Sequence, residues 1–217
     1  MKLEGLKINV LGDSITAGSC VANRENRFTE RMARMCGAEV RNYGLSGSRI
    51  TPQQQSDDGH SNYVDRAMQM DPDADLILVF GGTNDYGHGD APMGQPGDAT
   101  PDTFCGACRV LFEELLTKYP ESQIVVMTPL HRLLEDSPRG DNGTRKPADV
   151  APLIEYVNNL KTIAQRYAIP VCDLYSISGL QPSVEAIRTR YIPDGLHPND
   201  AGHAKLTEKL VSFLRAL

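Results

Sequence analysis

Leu6-Lys7-Ile8-Asn9-Val10-Leu11-Gly12-Asp13-Ser14-Ile15-Thr16 is the stretch on which the fold turns. Residues 6–11 read as a strand that stops abruptly at Gly12, where a turn can form that a side chain would obstruct, and a helical pattern follows from about Asn23. In open α/β sheets ligands lie beyond the carboxyl ends of the strands. A serine two residues past such an end stands at the usual site, which makes Ser14 a candidate nucleophile. A serine in that position can equally cap a helix, so the rest of the chain must decide between the two roles.

The same rhythm recurs downstream. Residues 39–43 read as a second strand running into the loop Gly44-Leu45-Ser46-Gly47-Ser48. The continuous apolar run 76–80 reads as a central parallel strand buried on both faces and stops at Gly81-Gly82. Residues 123–127, ending at Thr128-Pro129, and 169–173 supply a fourth and a fifth strand. Helical spacing links Phe28, Met32, Met35 and Cys36 before Gly37, and a shorter pattern links Val64, Ala67 and Met68. Further helices follow through Phe104, Cys108, Leu111, Phe112 and Leu115, through Leu153, Val157, Leu160 and Ala164, and over 184–190. A last helix starts near Asn199, a plausible cap, with Leu206, Leu210, Phe213 and Leu214 facing inward. Residues 51–62 read as polar loop with a turn of helix, and 86–100 and 133–150 as polar, Gly- and Pro-bearing insertions. Five strands alternating with helices imply an α/β three-layer, flavodoxin-like sandwich, its parallel sheet ordered 2-1-3-4-5 by right-handed crossovers. Residues 1–217 are expected to form one domain.

Composition narrows the function. A net charge of −6 leaves no basic stripe for phosphate neutralisation, so extended nucleic-acid binding is not expected. No apolar run is long enough to cross a bilayer, and the N-terminal residues lack the apolar core of a signal peptide; a cytoplasmic protein is expected. Five cysteines, Cys20, Cys36, Cys105, Cys108 and Cys172, are an odd set that suggests reduced thiols and no structural disulfide. The oligomeric state is left open.

Acyl transfer by serine needs an imidazole to take the hydroxyl proton and a carboxylate to orient that imidazole. Asp194 and His197, three residues apart in a turn bounded by Pro193 and Pro198, can supply both. The Gly47 N–H, the Asn84 side-chain amide and the Ser14 N–H are candidate oxyanion donors, and glycines such as Gly47 and Gly81-Gly82 let a backbone donor approach a substrate closely. Asp13, Arg49, Asp85 and His131, in or beside loops at the same sheet edge, are the candidate substrate-binding residues.

Four blocks carry a resemblance: Gly12-Asp13-Ser14-Ile15, Asn42-Tyr43-Gly44-Leu45-Ser46-Gly47, Gly81-Gly82-Thr83-Asn84-Asp85 and Asp194-Gly195-Leu196-His197-Pro198-Asn199. In this order, spanning nearly the whole chain, they resemble the ordered blocks of the SGNH or GDSL-type esterases and lipases, with isoleucine in place of leucine after the serine. The resemblance implies a flavodoxin-like fold and ester hydrolysis of a small-molecule substrate through a Ser14, His197, Asp194 triad, with Ser14, Gly47 and Asn84 as oxyanion donors. No metal or organic cofactor is required by that chemistry.

Two other classes compete. Asp13, Asp85 and Asp173 all follow strands and could hold Mg²⁺ in a phosphate-handling module, although this leaves Ser14, Asn84 and His197 unexplained. A non-catalytic binding module on the same scaffold is the other. Cys105 and Cys108 have metal-site spacing but read as helix packing, and His60, His88 and His203 read as surface residues. The polar insertions suggest short acyl groups, such as acetyl esters of small molecules or sugars, over long-chain lipase, lysophospholipase or thioesterase substrates.

Overall fold

Strand β1 (Lys7–Gly12) is an inner strand, one in from the edge of the sheet. In the computed structural model, which describes residues 1–54, 62–141 and 151–217, it lies between β2 (Glu39–Gly44) and β3 (Leu76–Phe80). Strands β4 (Gln123–Met127) and β5 (Val171–Cys172) extend the sheet beyond β3, giving the expected all-parallel order 2-1-3-4-5. The register sets Gly12 opposite both Gly44 and Phe80, so three strands end level and their loops leave at one edge.

Alternation along the strands sorts side chains into two cores. Leu11, Ile77, Val79, Ile124 and Val126 face α3 (Tyr63–Gln69), α5 (Phe104–Lys118) and α6 (Leu153–Arg166). Ile8, Val10, Leu78, Phe80, Val125 and Met127 face α2 (Phe28–Cys36) and α9 (Asp200–Ala216). Cys105 and Cys108 are buried in the first core, as helix packing requires. Gly37, at φ 64°, ends α2 in the left-handed conformation that a glycine adopts without strain. The Asn199 side chain caps α9 by accepting from the N–H groups of Ala201 and Gly202 at 3.1 Å each.

Several expectations need correction. Met35 and Met68 are 48% and 51% exposed, because α2 buries the line Phe28, Met32, Cys36, and α3 buries Tyr63, Val64 and Ala67. Each methionine sits on the flank of its helix. Strand β5 is shorter than residues 169–173: Pro170 has no N–H for the ladder, and Asp173 turns away to cap α7 (Leu174–Ile177). Short helices also stand where no periodicity is visible, α1 (Ser14–Ala17) directly after β1 and α4 (Thr83–Gly87) after β3. The helix expected over 184–190 is present as α8 (Glu185–Tyr191). Most of 51–62 and the second half of 133–150 lie outside the described residues, as does His60. Among the described residues no helix is long and apolar enough to cross a membrane.

Candidate active site

Ser14 is set by the crowding around it. A Cβ on Gly12 would lie 2.0 Å from the Thr16 hydroxyl oxygen, so only glycine lets the chain fold straight from β1 into α1. The Asp13 carboxylate caps that helix, accepting the Ile15 N–H at 2.9 Å, and Ser14 takes the first helical position, where an amide has no intrahelical acceptor. Asn42 on β2 donates to the Thr16 carbonyl at 2.7 Å, and Gly44 approaches so closely that a Cβ there would lie 2.2 Å from the Ala17 nitrogen. From α3, the buried side of Arg66 donates to the Gly12 carbonyl at 3.2 Å, to the Ser48 hydroxyl at 2.6 Å and to the Tyr43 carbonyl. One guanidinium thereby ties together the ends of β1 and β2.

The other half comes from the turn before α9. The Gly195 carbonyl accepts the Leu133 N–H at 2.8 Å, anchoring the turn. One Asp194 carboxylate oxygen accepts the N–H groups of Leu196 and His197 at 2.9 and 2.7 Å; the other accepts from His197 Nδ1 at 2.7 Å. With its Nδ1 proton on the carboxylate, the ring presents the Nε2 lone pair to the Ser14 hydroxyl 2.9 Å away. Burial pushes the Asp194 carboxyl up, but the His197 and Leu196 amides and the His197 ring outweigh it and hold the group below the usual carboxylate range. The arrangement can deprotonate a serine hydroxyl and store the proton on an imidazole.

Two of the three candidate oxyanion donors leave the neighbouring strands. Gly47, at φ 77°, stands at the third position of a turn closed by the Ser48 N–H and the Leu45 carbonyl. A Cβ there would meet nothing within 4 Å, so the glycine answers a conformational demand rather than a crowded one. Asn84 on α4 donates one Nδ2 hydrogen to the Ser48 carbonyl at 2.9 Å, while its Oδ1 accepts from His88 Nε2 at 3.1 Å. Gly81-Gly82 also has a structural reason: a Cβ on Gly81 would overlap the Tyr63 ring, and Gly82 at φ 106° turns the chain into α4.

A family model for GDSL-like lipases and acylhydrolases matches residues 10–205. The chain belongs to the GDSL-like lipase/acylhydrolase family. It is accordingly a carboxylic ester hydrolase. A solved Lactobacillus plantarum protein is 30% identical, with a TM-score of 0.84 over 99% of this chain and 98% of that one. A possible lipase of Chitinophaga pinensis DSM 2588 shares the fold at 22% identity and a TM-score of 0.70, covering 97% and 98% of the two chains. A lipolytic G-D-S-L family member from Veillonella parvula DSM 2008 does so at 20% and 0.61, covering 97% and 99%. Comparison with curated proteins gives no match.

In this GDSL-like hydrolase the remaining candidates are committed largely to holding loops. Burial pushes the Asp13 carboxyl up to about 6, against the lowering effect of the Ile15 amide and His197, with Asp85 adding to the rise. Asp85, also buried, accepts the N–H groups of Ile50 and Thr51 at 2.9 and 3.0 Å and the Thr51 hydroxyl at 2.7 Å, locking the loop after β2 onto α4. Arg49 meets His88 Nδ1 at 2.8 Å. His131 bonds Glu135 at 2.9 Å and lies against the Tyr175 ring, their centroids 3.7 Å apart. A cavity of about 530 Å³ beside Asp194 is lined by Arg132, Leu133, Leu134, Asp141, Gly195 and Leu196.

Two histidines read as surface residues prove otherwise. His88 is half-buried and orients Asn84, a role its four-residue spacing from Asn84 could have signalled. His203 is fully buried in α9, stacked on Phe28 and accepting the Phe28 N–H through Nδ1 at 3.1 Å. Cys20 lies beside Asp194, its thiol donating to that carboxylate at 3.5 Å, and nothing in the sequence pointed to it.

Proposed function

We propose that the protein is a serine esterase that hydrolyses short-chain acyl esters, acetyl esters of small molecules or sugars above all, through an acyl-enzyme. The observation that carries the mechanism is the unbroken line Asp194–His197–Ser14, with links of 2.7 and 2.9 Å. Ser14 attacks the ester carbonyl while His197 Nε2 takes its proton; the alcohol leaves with that proton; water then repeats the sequence on the acyl-enzyme. Asp194 holds the ring in the competent tautomer. The Ser14 and Gly47 N–H groups and the second Nδ2 hydrogen of Asn84 stabilise the oxyanion. Asp13, Arg49, Asp85 and His131 act on substrate through the loops they hold.

The short-chain preference draws support from the cavity that Asp194 borders, where three leucines meet the Arg132–Asp141 ion pair on the Asp194 side of the site. A largely buried charge pair there suits a small or polar group better than a long alkyl chain. The Mg²⁺ reading is disfavoured by the carboxylates themselves: Asp13 caps α1, Asp85 accepts three donors and Asp173 pairs with Lys161.

Hydrolysis of p-nitrophenyl esters from acetate to palmitate, by the native protein and Ser14→Ala with and without EDTA, tests the reading. Activity that is greatest on acetate, insensitive to EDTA and lost in Ser14→Ala is expected. Unchanged turnover in folded Ser14→Ala would sink the nucleophile assignment, and a preference for palmitate would move the substrate to lipase-type esters.

A further inference from the structure

We propose that Cys20, Asp194 and His197 form a binding site for a thiophilic divalent cation, with zinc as the type, and that its occupancy switches the triad off. The Cys20 thiol, an Asp194 oxygen and a His197 ring nitrogen all lie within 4.8 Å of one another, the single group of this kind among the described residues. A thiolate sulfur, a carboxylate oxygen and an imidazole nitrogen are each ordinary zinc donors, and three protein ligands leave a fourth position for water. Tetrahedral zinc with ordinary bond lengths separates a thiolate sulfur from a carboxylate oxygen by about 3.6 Å. The Cys20 Sγ and Asp194 Oδ2 already stand 3.5 Å apart. The pair His197 Nδ1 and Asp194 Oδ2, now hydrogen-bonded at 2.7 Å, must open by roughly 0.7 Å to admit the ion.

The placement is accessible. Cys20 is exposed and Asp194 is exposed at the mouth of the site, so a cation reaches both from solvent. Asp194 is also pre-set, because its other oxygen is held by the Leu196 and His197 amides.

Inhibition follows from the tautomer. Coordination through Nδ1 uses that nitrogen's lone pair, so the ring proton must sit on Nε2. An Nε2–H donates to the Ser14 hydroxyl and cannot accept its proton. On binding, the Cys20 thiol releases one proton to solvent; the His197 ring loses its Nδ1 proton and gains one at Nε2, remaining neutral. No other bond forms or breaks. The site itself needs only the three side chains, whereas the inhibition rests on the esterase reading above.

Reduced full-length protein is titrated calorimetrically with zinc chloride, and cobalt(II) uptake is followed by its thiolate charge-transfer absorption. One zinc per chain, a cobalt–thiolate band, and a loss of p-nitrophenyl acetate hydrolysis of at least about tenfold that EDTA restores are expected. Cys20→Ser and Cys20→Ala are expected to weaken zinc binding by at least ~10-fold, since even outer-shell partners of a metal cost that much, and to shift inhibition in parallel. Each variant is scored against its own zinc-free rate. Absence of stoichiometric uptake, or uptake unchanged in both Cys20 variants, overturns the site. Uptake without loss of hydrolysis, or equal inhibition by Mg²⁺, overturns the switch. If native protein hydrolyses no ester, the esterase reading fails while calorimetry and the cobalt band still judge the site.

Discussion

Asn84 has one hydrogen to give. Its Oδ1 is taken by His88 and one Nδ2 hydrogen by the Ser48 carbonyl, which leaves the other for the oxyanion role proposed above. Replacing Asn84 with Ala is expected to lower kcat by about 10²–10³-fold with little change in KM, measured on p-nitrophenyl acetate. Two buried groups make a second prediction at this scale. Burial, with Arg31 adding and Asp200 opposing, lowers His203 to about 4 from an ordinary 6.5, so its contribution is complete above 6.5 and is lost as pH falls through 4. Asp13, raised to about 6, has the opposite sign: its contribution is complete below 3.8 and is lost as pH rises through 6. Between pH 7 and pH 5 the two nearly offset, each amounting to about 1–2 kcal/mol. Urea midpoints are therefore expected to fall on acidification in Asp13→Asn and to rise in His203→Gln; movement in the same direction would refute the pairing. The meeting of Ser14, Asp194 and His197 was legible because the proposed chemistry needs few residue types at particular loop ends. Burial of His203 was not, since one polar residue on a helix face gives no sign that Phe28 will stack on it.

Among the elements, α1 is held by close contacts on several sides yet was not visible beforehand. Four residues cannot display a 3.6-residue period, so α1 and α7 escaped, as did the five-residue α4. Strands β1 to β4 were read to within a residue because each run stops at glycine or turn residues, β3 and β4 being apolar almost throughout and β2 carrying only Val40 and Tyr43. At Gly44, an added Cβ meets the Ala17 and Thr16 backbone at 2.2–2.7 Å, where no side chain can move aside. Gly44→Ala is expected to cost about 1–3 kcal/mol in chemical denaturation and to lower kcat by displacing Ser14. Gly97→Ala, where an added Cβ meets nothing within 4 Å, is expected to change neither.

For the whole molecule, the two cores separate packing from surface. Phe112 is fully buried against the sheet, and Phe112→Ala is expected to lower stability by about 3–5 kcal/mol, whereas Met35→Ala on the exposed flank of α2 stays within about 0.5 kcal/mol. The strand order was legible because alternating strands and helices leave few topologies, and the convergence of four separated loops on one edge follows from it. Ser14 and His197 stand 183 residues apart, on the first strand's end and in the turn before the last helix, which packs on α2. Under the proposed mechanism, hydrolysis is therefore a proximity reporter for that docking. A subglobal opening that peels α9 away while the five strands stay paired disarms the serine, so amide exchange in α9 and loss of activity should report one free energy, below that of exchange in β1 and β3.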